Sequence, residues 1–168
     1  CGEDIKKEYL NIDAVNENED VISMDISNLK NKFLNSSIDE IYAKDVLEHV
    51  GLPTAKNWIK EWSDLLKSNG ILTITTPCLE LIIDAYKKKI INEEKLNYLL
   101  FAGVFWEKGK SLWDTKKTSQ YDWHKVCFSM KLLKNLLSAN KMSIICEKYD
   151  QITQNVNGLN MTIKAKKN

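Results

Sequence analysis

Short apolar segments that end at or near an acidic residue alternate along this chain with segments of helical periodicity. Residues 9–13, Tyr-Leu-Asn-Ile-Asp, and residues 20–26, Asp-Val-Ile-Ser-Met-Asp-Ile, are each interpreted as a strand. Residues 38–43 predict a third strand, and the β-branched residues 71–75, followed by Pro77, predict a fourth. Because strands alternate with helices, the pattern predicts an α/β fold with a mostly parallel sheet covered by helices on both faces.

Two segments between these strands have helical character. Residues 54–67 predict an amphipathic helix whose apolar residues, Trp58 and Trp62 among them, pack on the sheet. We expect Ser68-Asn69-Gly70 to end this helix, with the glycine in the left-handed conformation. Residues 80–101 also have a helical pattern, with polar interruptions.

The C-terminal part of the chain contains one more helix and a pair of strands. Ser129 is predicted to cap a helix that continues to about Ala139. Residues 142–149 and 160–166 are interpreted as two strands joined by a polar loop. We expect them to form an antiparallel pair at the end of the sheet.

The composition argues against several classes of partner. The net charge is +1 and every basic residue is a lysine, so the chain lacks the planar guanidinium groups typical of nucleic-acid recognition. No apolar run is long enough to span a bilayer, and we expect no membrane partner. The four cysteines match neither a zinc pattern nor a redox pair, and reduced thiols predict a cytoplasmic protein. We expect residues 1–168 to form one domain, as a monomer or a homodimer.

Candidate ligand-binding residues fall at the carboxyl ends of the predicted strands, where α/β sheets bind their ligands. Cys1-Gly2 forms a turn in which the glycine lets the backbone approach a ligand. Asp13 ends the next strand, and its carboxylate is suited to accept two hydrogen bonds from a ribose diol. In Met24-Asp25-Ile26 the aspartate is suited to an adenine amino group, and either apolar neighbour to packing on the ring.

In this order and spacing the motifs resemble those of the class I S-adenosylmethionine (SAM)-dependent methyltransferases. The similar segments are Cys1-Gly2 with residues 9–13, residues 39–43, Val46-Leu47-Glu48-His49, the tryptophan-bearing helix, residues 66–72, Pro77, and Asp122-Trp123-His124 with Phe128 and Ser129. The resemblance implies a Rossmann-like fold, SAM as the cofactor, and a small-molecule acceptor, a metabolite or glycan precursor methylated on a hydroxyl or an amine. It also implies a first strand upstream of Cys1, Lys44 at the methionine end of the donor, and an acceptor-side insert over about residues 80–128.

Two other classes of protein remain as alternatives. One is a SAM-fold binding module without catalysis, and the other is a nucleotide-dependent Rossmann enzyme. The presence of Gly2, Asp13 and Asp25 favours an active methyltransferase over the first. The chain has no G-x-G-x-x-G motif, and the spacing from Gly2 to Asp13 is shorter than in a nicotinamide-binding unit, which disfavours the second.

His124 is the first candidate for a general base or an acceptor-binding group, because an imidazole accepts a proton near neutral pH. His49 is the second, and Asp45, Glu48 and His49 are predicted to share one helix face because they are spaced i, i+3, i+4. This face resembles a Glu/Glu/His cluster of ubiquinone-type O-methyltransferases, for which a divalent metal has been proposed. We favour hydrogen bonding at the helix N-terminus over proton removal, and both over a metal ion, so we expect no bound metal.

Aromatic residues are concentrated in the predicted insert. They suit a stacking wall for a sugar or an aromatic acceptor, although such residues more often form the core of an insert. The residues concerned are Trp106, Trp113, Tyr121 and Trp123.

Overall fold

The computed structural model of the chain describes residues 5–14, 18–101, 123–152 and 159–168. Its strands, in chain order, are β1 (Asn11–Asp13), β2 (Val21–Ser23), β3 (Ile38–Lys44), β4 (Leu66–Pro77), β5 (Met142–Tyr149) and β6 (Asn160–Lys167). Its helices are α1 (Leu29–Lys32), α2 (Leu52–Leu65), α3 (Leu79–Lys87), α4 (Glu93–Phe101) and α5 (Met130–Ala139). None of the helices in these ranges has the length and apolar character needed to cross a membrane.

The strands form two sheets. The first pairs β1 with β2 in parallel, and the second has the order β3-β4-β6-β5. In the second sheet β3 and β4 are parallel, whereas β6 lies antiparallel to both β4 and β5. The α/β fold and the antiparallel C-terminal pair at the end of the sheet are therefore confirmed.

Two apolar clusters hold the helices in place. The larger cluster joins Ile59 and Trp62 of α2 to Leu133 of α5 and to Ile74 and Ile163 of the sheet, and all five are buried. The smaller cluster joins α3 to α4 and includes the residues Ile82, Ala85 and Leu99. The larger cluster thus joins α2 and α5 to the sheet, and the smaller one joins α4 to α3, whose Leu81 packs against both clusters.

The helix caps agree with the sequence at α5 and differ at the end of α2. Ser129 caps α5, and its hydroxyl accepts a hydrogen bond from the amide of Leu132 at 3.1 Å. The expectation for Gly70 is wrong, because α2 ends at Leu65 and the left-handed residue is Asn69, with φ of 66°. Residues 67–70 lie in a bulge between the pairs formed by β3 and β4.

The predicted helical segment 80–101 is two helices, α3 and α4. The first helix ends at Lys87, and Lys89 then has a left-handed φ of 55°. The turn that follows lets α4 lie beside α3, so that Leu99 and Ile82 belong to the same smaller cluster.

Gly70 is required by its surroundings rather than by its conformation. A Cβ atom there would lie 2.8 Å from the carbonyl oxygen of Lys67 and 3.2 Å from that of Asp39. We expect Gly70→Ala to lower the free energy of unfolding by about 1–3 kcal/mol, because backbone atoms cannot move aside as side chains do. Urea unfolding measures this free energy. Gly51→Ala is the control, because the atom nearest to a Cβ atom added at Gly51 would be Pro53 Cδ, at 3.8 Å. Equal losses in the two variants would contradict the steric argument.

Candidate active site

The carboxyl ends of β1 and β2 bring two of the predicted binding residues together. Asp13 pairs with Ser23 across the parallel strands, and the amide of Met24 donates to the carbonyl of Asp13 at 2.9 Å. Asp25 follows at once, and its side chain is exposed. The two aspartates therefore stand at the ends of adjacent parallel strands, as the sequence predicts. Cys1 and Gly2 lie outside the described residues.

Asp25 has a local structural task as well. Its Oδ1 accepts a hydrogen bond from the amide of Ser27 at 2.8 Å, which caps a short 3₁₀ helix over Ile26–Asn28. Hydrogen bonds from Ser27 lower the pKa of Asp25, so this carboxyl is charged at neutral pH. The carboxylate is held in place before any ligand arrives, and a role toward an adenine amino group stays a prediction.

An apolar groove lies between the two sheets and encloses a cavity of about 230 Å³. Ile12 lines it from β1, Tyr42 and Lys44 line it from β3, and Ile26 lines it from the segment after β2. Lys44 is exposed at the end of β3, and Met24 packs against the core. The predicted upstream strand and the place of Lys44 at the methionine end of a donor both stay predictions.

Glu48 and the two histidines form a cluster at the end of β3, which we call the Glu-His cluster (Glu48, His49 and His124). One carboxylate oxygen of Glu48 and one ring nitrogen of each histidine lie within 4.8 Å of one another. The two imidazole rings meet edge to face, with centroids 5.2 Å apart and planes at 70°. The structure therefore brings together the two histidines that the sequence analysis considered separately.

Asp45 does not share a helix face with Glu48 and His49, so that prediction is wrong. Its φ is 50°, and the helix that follows is a short 3₁₀ turn, Leu47–His49. The amide of Asp45 donates to the carbonyl of Thr75 at 2.9 Å, which extends the pairing of β3 with β4 by one residue. Burial raises the pKa of Glu48 and lowers that of His124, and the charge of Asp45 adds to the first effect and opposes the second.

Hydrogen bonds to two separate segments, the end of α4 and the turn after β3, hold His124 in place. Its amide donates to the carbonyl of Phe101 at 3.1 Å, and its Nδ1 lies 3.0 Å from the carbonyl oxygen of Leu99. The next amide, that of Lys125, donates to the backbone carbonyl of Glu48 at 2.7 Å. Because a carbonyl oxygen only accepts, Nδ1 carries the proton and Nε2 is the free acceptor of the neutral ring. Burial lowers the pKa of His124, so the neutral ring prevails at pH 7.

Glu48 is a buried carboxyl without a charged partner. Only 1% of its surface is exposed, and no ion pair to it occurs within the described ranges. Oε2 accepts from the hydroxyl of Thr76 at 3.0 Å, whereas Oε1 is buried and has no hydrogen-bond partner among the described residues. Burial is the largest influence and, with the charge of Asp45, raises the pKa of Glu48 from 4.5 to about 7, against the opposing effect of Thr76 and nearby amides.

Sequence patterns do not indicate a role for Thr76 or for the carbonyl of Leu99, and they favour a purely structural role for Glu48. The position of Thr76 at the end of β4 is the one available signal, because the ends of parallel neighbours meet at one edge. The contact with Leu99 follows from the packing of α4, which no local pattern contains. Of the four aromatic residues considered for a stacking wall, Trp123 is exposed, and the other three lie outside the described residues.

The pKa of Glu48 predicts how stability depends on pH. Between pH 4.5 and pH 7 the folded chain keeps a proton at Glu48 that the unfolded chain loses, so the free energy of unfolding falls as the pH rises. Glu48→Gln cannot ionise and lacks this contribution. We therefore expect the wild type to lose stability relative to Glu48→Gln through this window and to level off above about pH 7.

Urea unfolding across this pH range, in the presence of a chelator, checks the expectation. Glu94→Gln makes the same chemical change at an exposed position of α4, and its curve should follow that of the wild type. A difference between the wild type and Glu48→Gln that does not change with pH would contradict the burial of the carboxyl.

Comparisons with known proteins give a consistent set of similarities. Residues 1–74 match a family model described as a methyltransferase domain. A solved structure from Burkholderia thailandensis, 1,6-didemethyltoxoflavin-N1-methyltransferase with bound 1,6-didemethyltoxoflavin and S-adenosylhomocysteine, is 14% identical with a TM-score of 0.56. The match covers 93% of this chain and 59% of that one. No curated protein sequence matches.

Two further solved structures are similar over most of this chain. A SAM-dependent methyltransferase from Methanosarcina mazei is 21% identical with a TM-score of 0.56, over 88% of this chain and 66% of that one. The magnesium protoporphyrin IX methyltransferase of Synechocystis, with bound S-adenosylhomocysteine, is 14% identical with a TM-score of 0.54, over 88% and 51%. The chain thus spans between half and two thirds of the length of these structures.

Proposed function

This chain has the class I SAM-dependent methyltransferase fold and matches a methyltransferase-domain model over residues 1–74, and we propose that it transfers the methyl group of SAM to a small-molecule acceptor. The observation that supports the proposal best is the pair of aspartates at the ends of β1 and β2. Asp13 is the last residue of β1 and Asp25 lies two residues beyond the end of β2, and the amide of Met24 donates to the carbonyl of Asp13 between these two parallel strands. Such an edge suits the nucleoside part of the donor.

In this proposal Asp13 accepts hydrogen bonds from the ribose diol of SAM, and Asp25 accepts from the adenine amino group. The charged, pre-positioned carboxylate of Asp25 is suited to that task, since it needs no reorganisation on binding. Met24 and Ile26 offer apolar side chains beside the ring, and the turn that the sequence predicts at Cys1-Gly2 would admit the amino-acid end of the donor.

The acceptor would bind next to the Glu-His cluster, where the chain can handle a proton. A SAM sulfonium is already activated, so methyl transfer needs chiefly alignment of the donor and the acceptor. A hydroxyl or amine acceptor must also lose a proton, and in this proposal the unprotonated Nε2 of His124 binds the acceptor or takes that proton. The ring of His49 contacts the ring of His124, and the charge of Asp45 acts on His124 electrostatically.

Thermal denaturation tests the donor site. SAM or S-adenosylhomocysteine should raise the melting temperature of the wild type, because a ligand that binds only the folded state stabilises it. Asp13→Ala should abolish the shift. Asp20→Ala is the matched control, since Asp20 is exposed and precedes the opposite end of β2. A normal shift in Asp13→Ala would refute the ribose assignment.

Turnover tests the acceptor side. His124→Gln should leave the SAM-induced shift in melting temperature largely intact. The same variant should lower the production of S-adenosylhomocysteine by about 10²-fold or more with a hydroxyl or amine acceptor found in a substrate screen. Loss of both properties together would place His124 in donor binding or folding instead.

A further inference from the structure

We propose that Glu48, His49 and His124 bind one divalent transition-metal ion. The three donors come from two segments of the chain, the turn after β3 and the segment that begins after Trp123. Asp45 is not among them. One donor atom from each residue lies within 4.8 Å of the other two. Bonds of about 2.0–2.2 Å in a tetrahedral site place the donor atoms about 3.4 Å apart, so each pair must close by roughly 1.4 Å at most.

The buried carboxylate of Glu48 would be stabilised by a cation. Glu48 is 1% exposed, and within the described ranges it has no salt-bridge partner and its Oε1 accepts no hydrogen bond. A buried carboxylate without a counter-charge is costly, and paired or metal-bound carboxylates are the usual solution. A divalent ion between Glu48 and the two imidazoles would supply the missing positive charge.

The hydrogen-bond partners of His124 and Glu48 are of the kind that orients metal ligands in other proteins. Ligating histidines usually donate the second ring N–H to a carbonyl or carboxylate, which fixes the tautomer and frees the other nitrogen for the metal. His124 has this arrangement, with Nδ1 3.0 Å from the carbonyl oxygen of Leu99. Glu48 has its counterpart in Thr76, whose hydroxyl donates to Oε2 at 3.0 Å and orients the carboxylate.

The donor types select among the metals. Two imidazoles and one carboxylate suit Zn²⁺, Co²⁺ and similar ions, whereas Mg²⁺ and Ca²⁺ prefer sites made of oxygen donors. Three protein donors also leave a coordination position open. This further step rests on the proposed function: the open position would bind the acceptor oxygen and ease loss of its proton, with His124 as a ligand in place of a base.

Metal titration of the untagged, chelator-treated protein tests the proposal in the absence of SAM. The chain contains two histidines, both in the Glu-His cluster, so any imidazole signal reports on this site. Calorimetry should show one equivalent of Zn²⁺ bound and no competition by Mg²⁺. In wild-type protein, Zn²⁺ should shift the side-chain ¹⁵N resonance of His124 Nε2 while Nδ1 stays protonated. This measurement needs no variant to fold.

Variants then assign the ligands. Glu48→Gln and His124→Gln should each weaken Zn²⁺ binding by more than tenfold, and Thr76→Val should weaken it by about 10–100-fold through loss of the orienting hydroxyl. Glu147→Gln, the same chemical change on exposed β5, should leave the affinity unchanged. Circular dichroism of each variant confirms that it is folded.

Three results would overturn the proposal: no Zn²⁺ bound, imidazole resonances unchanged on binding, or a Co²⁺ spectrum with thiolate charge-transfer bands that shows cysteine ligation. The result is independent of the donor site, because Asp13→Ala should lose the response to SAM and keep Zn²⁺. A chain that binds SAM but no metal would refute this inference alone, and a chain that binds metal but no SAM would refute the proposed function alone.

Discussion

The register between β3 and β4 is the constraint on which the candidate site depends. Ala43 pairs with Ile74 and Lys44 with Thr75, and the amide of Asp45 continues the series by donating to Thr75. Both strands therefore end at the same edge, which delivers Glu48 and Thr76 to hydrogen-bonding distance although they are far apart in sequence. A shift of one residue would move every side chain of β3 to the opposite face and separate this pair.

The main part of the fold could be predicted because hydrophobic periodicity is a local property. The strands over residues 38–44 and 142–149 and the helix capped by Ser129 each show their pattern within one segment, and the structure confirms them. The end of α2 could not be predicted in the same way. Asn69 takes the left-handed conformation, and Gly70 is needed because the carbonyls of Lys67 and Asp39 approach it, a contact that only the paired strands create.

The candidate site, too, could be predicted from the sequence only in part. The positions of Asp13 and Asp25 at strand ends follow from the alternation of strands and helices, and in the structure they follow the carboxyl ends of two paired parallel strands. The Glu-His cluster does not follow from spacing, because Asp45 adopts a left-handed backbone and the third member, His124, arrives from a distant segment. The burial of Glu48 is likewise a tertiary property, since an ionisable residue in a helical pattern is normally expected to face solvent.

The bond between His124 and the carbonyl of Leu99 ties the chemistry of the sheet edge to a helix outside the sheet. The carbonyl belongs to α4, which packs on α3 in the smaller apolar cluster and not in the larger one. The protonation pattern of the ring is therefore governed by where the C-terminal turn of α4 sits. Sequence changes in the α3–α4 layer can therefore alter what surrounds the ring while β1 and β2 stay as they are, provided that this one carbonyl keeps its place.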